Sequence, residues 1–314
     1  MIKLEPKHTY AAIIGISKFD HMPDVPHCEK SAEKFHELLL DNRYIGLPEH
    51  NIRRLNSADG ESLRDNMVKF IYSVSSRINN PHTYQLDRID NLIFFYSGHG
   101  EKDKDENLVL FARNTSMETL SDLGIPFKRL LEHLLQTNLK RIIFIIDSCY
   151  SGAAQGGNDT INLDIRPDYC VIRSARKHQQ SYFSDHPKYT DFTAVFFNMI
   201  EQGIRQPLNR FINIGDIGQY LRANFRKSER QNPDVRSDGE LLEFPLFKNV
   251  LFRLSVAEEK IGSDDPEIRL EGMHLLKELI SSYTKHELQV HALKITALTE
   301  KIVSSVFDEP GGAF

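Results

Sequence analysis

Long apolar runs are missing from this chain of 314 residues. Nowhere do the roughly 18 successive apolar residues of a membrane-crossing helix occur. The opening residues carry no basic stretch ahead of a long apolar core. Ala11 to Ile16 is only a strand's length, so no signal peptide is expected. Cysteine is scarce as well: Cys28, Cys149 and Cys170 are odd in number and far apart. That pattern excludes a disulfide framework and a zinc ribbon, and it fits a reducing cytoplasm. There is no excess of basic charge either. Lys and Arg number 39 against 44 Asp and Glu, a net charge of −5, which argues against a surface built for nucleic-acid phosphates. The local basic cluster "FRKSER" (225–230) reads as a solvated helix end. Neither nucleic acid nor a membrane is expected as a partner.

What is present is ordinary globular material, 40% hydrophobic and 26% charged, enough to build a sizeable core. Short apolar runs at 10–17, 91–100, 141–149 and 169–175 alternate with helix-like segments at 29–41, 62–78, 126–136, 191–204 and about 214–226. That alternation predicts an α/β fold with a doubly wound, mainly parallel sheet flanked by helices. A terminal strand is expected at 243–249 and a loop at 227–240, with the domain edge near Arg253.

The tail has a different texture. Asp265 before Pro266 reads as an N-cap followed by proline at the first helical position. Ile268, Met273, Leu276 and Ile280, then Leu288, Ala292, Ile295, Thr299, Ile302 and Val306, recur at roughly helical spacing. They predict an α-helical hairpin resembling one HEAT or armadillo unit over residues 254–314, appended to a domain at 1–253. A lone unit cannot bury its own face, so the hairpin is expected to pack on the larger domain or to receive a regulatory protein partner.

Two strand ends carry the chemistry. One finishes in "FYSGHG", leaving His99 and Gly100 on a turn, and the other in "IIDSCYSG", leaving Cys149. The two residues are 50 positions apart, room for one strand–helix excursion. Neighbouring parallel strands deliver their C-terminal ends to one edge, where open sheets keep their ligands. A thiol needs a nearby base or a lowered pKa to attack a carbonyl, and imidazole serves. The N–H groups of Gly100 and Cys149 could receive a developing oxyanion. No third orienting side chain is identifiable, and a backbone carbonyl near the first strand is the candidate to hold His99.

These contexts resemble the caspase-fold cysteine peptidases, nearer to metacaspases and bacterial caspase-like proteins than to animal caspases. The resemblance spans roughly residues 8–252. It includes the first strand with its helix, then "YSGHG", "DSCYSG", "YCVIRSARKHQQSYF" (169–183), "FTAVFFNMIEQGI" (192–204) and "RQNPDV" (230–235). Animal caspases carry Gln-Ala-Cys-x-Gly with a histidine about 50 residues upstream. Here Asp147 replaces the glutamine and the glycine comes one residue later, as in metacaspases.

The resemblance implies a six-stranded sheet, Cys149 as nucleophile, His99 as general base and acid, and Gly100 with Cys149 as the oxyanion hole. It also implies a protein substrate added as a strand beside "VIRSA" (171–175), with Ser174, Ala175 and Arg176 among the specificity residues, and regulated release in bacterial defence or cell death. Asp147 either lines the pocket for the residue before the scissile bond, favouring Arg or Lys, or holds the loop through backbone N–H groups. Metacaspases usually carry a second acid three residues beyond a cysteine on the first helix. Here Cys28 is followed at that spacing by Ser31, so half of the acidic pair is missing; Asp20 and Asp24 are the candidates to replace it. Tyr182 and Phe183 are either a wall of the neighbouring subsite or packing residues.

Between Ile142 and Ile172 the one basic residue is Arg166, followed by Pro167, so the enzyme is expected to work uncut at this loop. The family also raises calcium dependence. The acidic run "EKDKDEN" (101–107) lacks the spaced ligands of an EF-hand and reads as a solvated loop; no cofactor or metal is expected. Two alternatives stand beside the peptidase. A catalytically silent scaffold is disfavoured by the intact His99 and Cys149. A thiol phosphatase is disfavoured by Gln155, which stands where Cys-x5-Arg requires arginine. The Gly-x-Ser-x-Gly run of serine hydrolases is absent.

Overall fold

A computed structural model of the chain describes residues 4–55, 61–149, 151–153, 167–175, 188–205, 208–226, 231–238, 240–282 and 285–307. The chain runs β1 (Thr9–Gly15), α1 (Pro26–Leu40), β2 (Ile52–Leu55), α2 (Arg64–Asn79) and β3 (Asn91–Ser97). Three short strands come next: β4 (Gly100–Lys102), β5 (Leu108–Leu110) and, after α3 (Leu120–Leu123), β6 (Ile125–Pro126). The chain continues through α4 (Phe127–Leu135), β7 (Arg141–Asp147), β8 (Asp168–Arg173), α5 (Asp191–Gln202), β9 (Phe211–Asn213), α6 (Ile214–Asn224), β10 (Asp234–Asp238) and β11 (Pro245–Lys248). Three helices close it: α7 (Val250–Ile261), α8 (Pro266–Ser282) and α9 (Lys285–Phe307). No described helix is long and apolar enough to cross a membrane.

Two compact units are present. The first holds residues 1–197 and 213–246 and the second 198–212 and 247–314. The first is built on a six-stranded sheet ordered β10-β8-β7-β3-β1-β2. Every pairing is parallel except that of β10 with β8. β1 and β3 are buried along their whole length and β7 almost so, because a parallel sheet is covered on both faces and its inner strands read as unbroken apolar runs. Alternate residues serve opposite faces. Tyr10, Phe94, Phe144 and Ile146 share a cluster with Met67, Phe70 and Val74 of α2 and Leu130 and Leu134 of α4. The other face stacks Phe95 on Phe35 of α1, ring centroids 4.7 Å apart, with Phe196 of α5 alongside.

The sheet edges depart from the expectation. β2 is an edge strand whose "IRRL" is too short and basic to read as buried. The polar stretch expected as a loop at 227–240 contains β10. Its pairing rests on a cross-strand ion pair that hydropathy does not register: Arg173, 1% exposed, donates Nε and Nη2 to Asp234 at 2.8 and 2.6 Å, and the two residues are register partners. The strand expected at 243–249 exists as β11 but pairs with β9 in a separate two-stranded sheet. The acidic run at 101–107 is the turn of the β4–β5 hairpin. Asp103 accepts the N–H groups of Asp105 and Asn107 at 2.9 and 2.8 Å.

In the second unit the boundary expected at Arg253 falls inside α7. That helix supplies the face a lone hairpin would lack: Leu254, Ala257 and Ile261 pack with Leu276 and Leu279 of α8 and Leu298 of α9. The predicted apolar stripes are partly out of phase. Ile268 is exposed, and Ala292 and Thr299 face solvent while His291 and Leu298 are buried. The tail mixes small and polar residues into its stripe, so a 3.6-residue period admits more than one phase. Asn249 caps α7 and also clasps the incoming chain, donating to Ile204 O at 2.8 Å and accepting from Ile204 N at 3.1 Å.

Removing the partner of a buried guanidinium leaves an uncompensated charge. Asp234→Ala should therefore destabilise the protein by about 3–5 kcal/mol in urea unfolding, whereas Arg236→Ala on the same strand should change it by less than about 1 kcal/mol.

Candidate active site

Register fixes the geometry of the rim. Gly15 lies opposite Ser97, and Ser97 opposite Asp147, so β1, β3 and β7 end level. His99 stands two residues past Ser97, and Cys149 two past Asp147. The strand order reverses between β1 and β3, and that is where a crevice opens at the carboxyl ends of a doubly wound sheet. Ile16 N donates to Ser97 O at 3.0 Å and Gly98 N to Asp147 O at 3.2 Å, which carries the alignment past the strand ends.

His99 is held from both sides. Its Nε2 lies 2.8 Å from Pro23 O in the loop after β1, the type of backbone partner expected near the first strand. The Phe19 ring sits 4.5 Å away on the same loop, and Phe111 at 6.1 Å. That loop is pinned by Asp24, which accepts Phe19 N at 3.1 Å, and by Asp20, which accepts Arg113 Nε at 2.9 Å. Asp20 and Asp24, considered as stand-ins for the missing acid, thus secure the segment that orients His99. Burial lowers the histidine's pKa, and the Pro23 carbonyl opposes that shift. The Tyr96 hydroxyl shares its one proton between His99 O (2.6 Å) and Phe111 O (2.9 Å). Desolvation raises the Tyr96 pKa, so it remains a donor.

The two glycines of "SGHG" permit close approach. A Cβ on Gly98 would lie 2.6 Å from the Tyr96 hydroxyl, and one on Gly100 would lie 2.8 Å from Ser148 Oγ and 3.1 Å from Cys149 O. The hairpin that begins after His99 therefore rests directly on the turn that carries the thiol. Phe111 N donates to His99 O at 3.1 Å, so Gly100, opposite Leu110, belongs to the pair type that exchanges no ladder bonds. Its N–H is not spent on β5.

The three cysteines separate by environment. Cys28 and Cys170 are buried and Cys149 is partly exposed. Burial pushes both buried thiols far up, Cys28 further through the nearby Asp147 carboxylate, and neither supplies thiolate at neutral pH.

Asp147 is 1% exposed. Its carboxylate accepts from Thr190 Oγ1 at 2.6 Å and Ser97 Oγ at 3.2 Å. The chain of hydroxyls continues from Thr190 to Thr193 (2.7 Å) and from Thr193 to Ser31 (2.8 Å). Ser31, standing where metacaspases place an acid, is thus joined to Asp147 by two threonines. Thr190 also caps α5, accepting Thr193 N at 3.1 Å. Neither threonine stands out in the sequence by motif, although a threonine just before a helix is the signal that could have found the first.

Ser174 and Ala175 are fully buried. Ser174 Oγ donates to Ser148 O at 3.1 Å and accepts Ser148 N at 3.2 Å. Ser151 Oγ accepts Ala175 N at 2.9 Å and donates to Ala175 O at 3.2 Å. Both residues tie the end of β8 to the turn bearing Cys149. Along 171–173 β8 is paired with β7 on one edge and β10 on the other, so a substrate strand cannot add there as expected. Arg176, Tyr182, Phe183 and Arg166 lie outside the described residues.

A doubly wound, mainly parallel sheet with one antiparallel edge, and with His and Cys turns at adjacent strand ends, defines the caspase-like α/β class. The chain belongs to the peptidase C14 family, matching its caspase domain over residues 8–240, and that family is one of cysteine peptidases. Among solved structures it is similar to protein GSU0716 of Geobacter sulfurreducens. The two share 15% identity and a TM-score of 0.53, over 77% of this chain and 98% of that one, a likeness of fold. No curated protein matches.

Thr190→Val removes both the shortest bond to the Asp147 carboxylate and the cap of α5. It should cost about 2–3 kcal/mol of stability in chemical denaturation, and Thr190→Ser should recover most of that loss.

Proposed function

We propose that the chain is a cysteine endopeptidase working through a His99–Cys149 dyad. The observation that carries this reading is the level ending of β3 and β7. It supports the reading because the one partly exposed thiol among the three cysteines and an oriented, half-desolvated imidazole each stand two residues past adjacent strand ends on one rim. Cys149 Sγ attacks the peptide carbonyl carbon, and His99 takes up the thiol proton and delivers it to the leaving amine. Water then adds to the thioester with His99 as base, releasing the carboxylic acid and the free thiol. The N–H groups of Gly100 and Cys149 receive the oxyanion; Gly100 N–H being unspent on β5 supports that role. The substrate strand adds past the paired length of β8, at Ser174, Ala175 and Arg176, since β8 itself is paired on both edges.

Asp147 selects Arg or Lys before the scissile bond. Its support is a buried carboxylate at the strand end beside the dyad, desolvated enough for a cation to gain strongly from pairing. With Ser31 in place of a second acid, one carboxylate carries the preference. The chain acts uncut, since Arg166 is followed by Pro167. The second unit serves as a docking element for a regulatory protein, in a cytoplasmic defence or cell-death role.

Cys149→Ala and His99→Ala should each abolish cleavage of Arg- and Lys-containing peptides without changing the far-ultraviolet dichroism. Asp147→Asn should lower kcat/KM on such peptides by about 100-fold; efficient cleavage after Asp by the wild type would remove the pocket assignment. Because burial lowers the His99 pKa, the imidazole stays neutral as pH falls through the ordinary histidine range near 6.5. Turnover should therefore persist through that range and fall only below it, as an initial-rate pH profile would show. Wild-type protein incubated alone should stay a single band, indistinguishable from Cys149→Ala.

A further inference from the structure

The first unit carries a second cavity, built from the β4–β5 turn, α3 and the starts of α2 and α4, with a volume of about 530 Å³. Its charged lining is cationic on balance. Arg64, Lys104, Lys128 and Arg129 face Asp103 and Glu118 across it. Asp103 holds the N–H groups of Asp105 and Asn107 within its own turn, and Glu118 is exposed to solvent, which screens its charge. On the cationic side, Arg64 Nη1 pairs with Asp65 at 3.0 Å, while its Nε is buried with no hydrogen-bond partner among the described residues. Lys104 and Arg129 make no ion pair among the described residues and are exposed at the mouth.

Arg64 and Arg129 also border an adjoining hollow of about 190 Å³ with a different lining. Val68, Ile71 and Leu130 form its apolar wall, and the Tyr72 ring stands against His133 with centroids 4.6 Å apart. Tyr72 is 59% exposed, an aromatic face left without cover. The two arginines thus mark the junction between a cationic chamber and an apolar, aromatic one.

We propose that these joined cavities bind an organic phosphate with a flat apolar body, such as a nucleoside phosphate. The phosphoryl oxygens meet the Arg64 and Arg129 guanidinium groups, whose planar forks match phosphate geometry, and Lys104 and Lys128 add point charges. The flat body lies in the hollow against Tyr72, where stacking tolerates any aromatic ring. The combined size suits a ligand of that class. An acidic peptide would use the cations but leave the aromatic hollow empty.

The site is independent of the peptidase reading, so its test reads binding and not turnover. Isothermal titration of the full chain with ADP, with adenosine and with pyrophosphate separates the two halves. Saturable ADP binding is expected, with pyrophosphate weaker and adenosine weaker still. Arg129→Ala and Lys104→Ala, both at exposed positions, should each weaken ADP about tenfold at unchanged melting temperature, and Tyr72→Ala should weaken ADP but not pyrophosphate. Four results would overturn the proposal: no saturable heat with ADP up to about 5 mM, ADP affinity unaltered in Arg129→Ala and Lys104→Ala, adenosine binding as tightly as ADP, or a poly-glutamate peptide displacing ADP from a site indifferent to Tyr72→Ala.

Discussion

The row Gly15, Ser97, Asp147 across three parallel strands is the constraint on which the rest of the molecule depends. Side chains on a strand alternate with a period of two, so a slip of one residue in either pairing would send a turn-forming residue to the wrong face. The unbroken apolar lengths of β1, β3 and β7 resist such a slip, because both faces are packed by helices. Beyond the row the chain is polar by necessity, since three strands ending together leave their terminal groups to be satisfied locally. Pro23 O, Tyr96 Oη, Thr190 Oγ1 and Ser151 Oγ meet that need, and in doing so they set the orientation of His99 and the path of the turn around Cys149.

The buried polar chain from Ser31 through Thr193 and Thr190 to Asp147 shows how one buried acid is satisfied inside such a rim. Hydroxyls donate to the carboxylate without bringing a charge of their own. The same four side chains fasten α1 and α5 to the sheet end.

The fold was legible where hydropathy and structure share a cause. Buried parallel strands must be apolar throughout, and the helices covering them must be amphipathic, so β1, β3, β7, β8 and their helices could be read directly. The elements that escaped are stabilised by other means. β10 is held by the Arg173–Asp234 pair, and β2 and β11 are too short or too polar to show a period. The β4–β5 hairpin was hidden under an acidic run in which Asp103 closes the turn. In the tail, helix formation was evident from Asp265 and Pro266, but the buried face was not, because Ala292 and Thr299 imitate a stripe that His291 and Leu298 occupy. At the candidate site, the placement of His99 and Cys149 just past adjacent strand ends was readable from their glycine-flanked contexts. Thr190, Thr193 and Ser151 were not, since their roles arise from contacts between segments distant in sequence.

The close approach of Gly100 to the Ser148 side chain and the Cys149 carbonyl, which leaves no room for a Cβ, carries a mechanical corollary. With no atom to spare between them, the hairpin and the sulfur-bearing turn behave as meshed teeth, and a displacement of one is passed to the other without slack. A substitution in β4 or β5 that never approaches the sulfur can therefore shift the position of Cys149, and the hairpin's turn at 103–107 is the long arm of that lever.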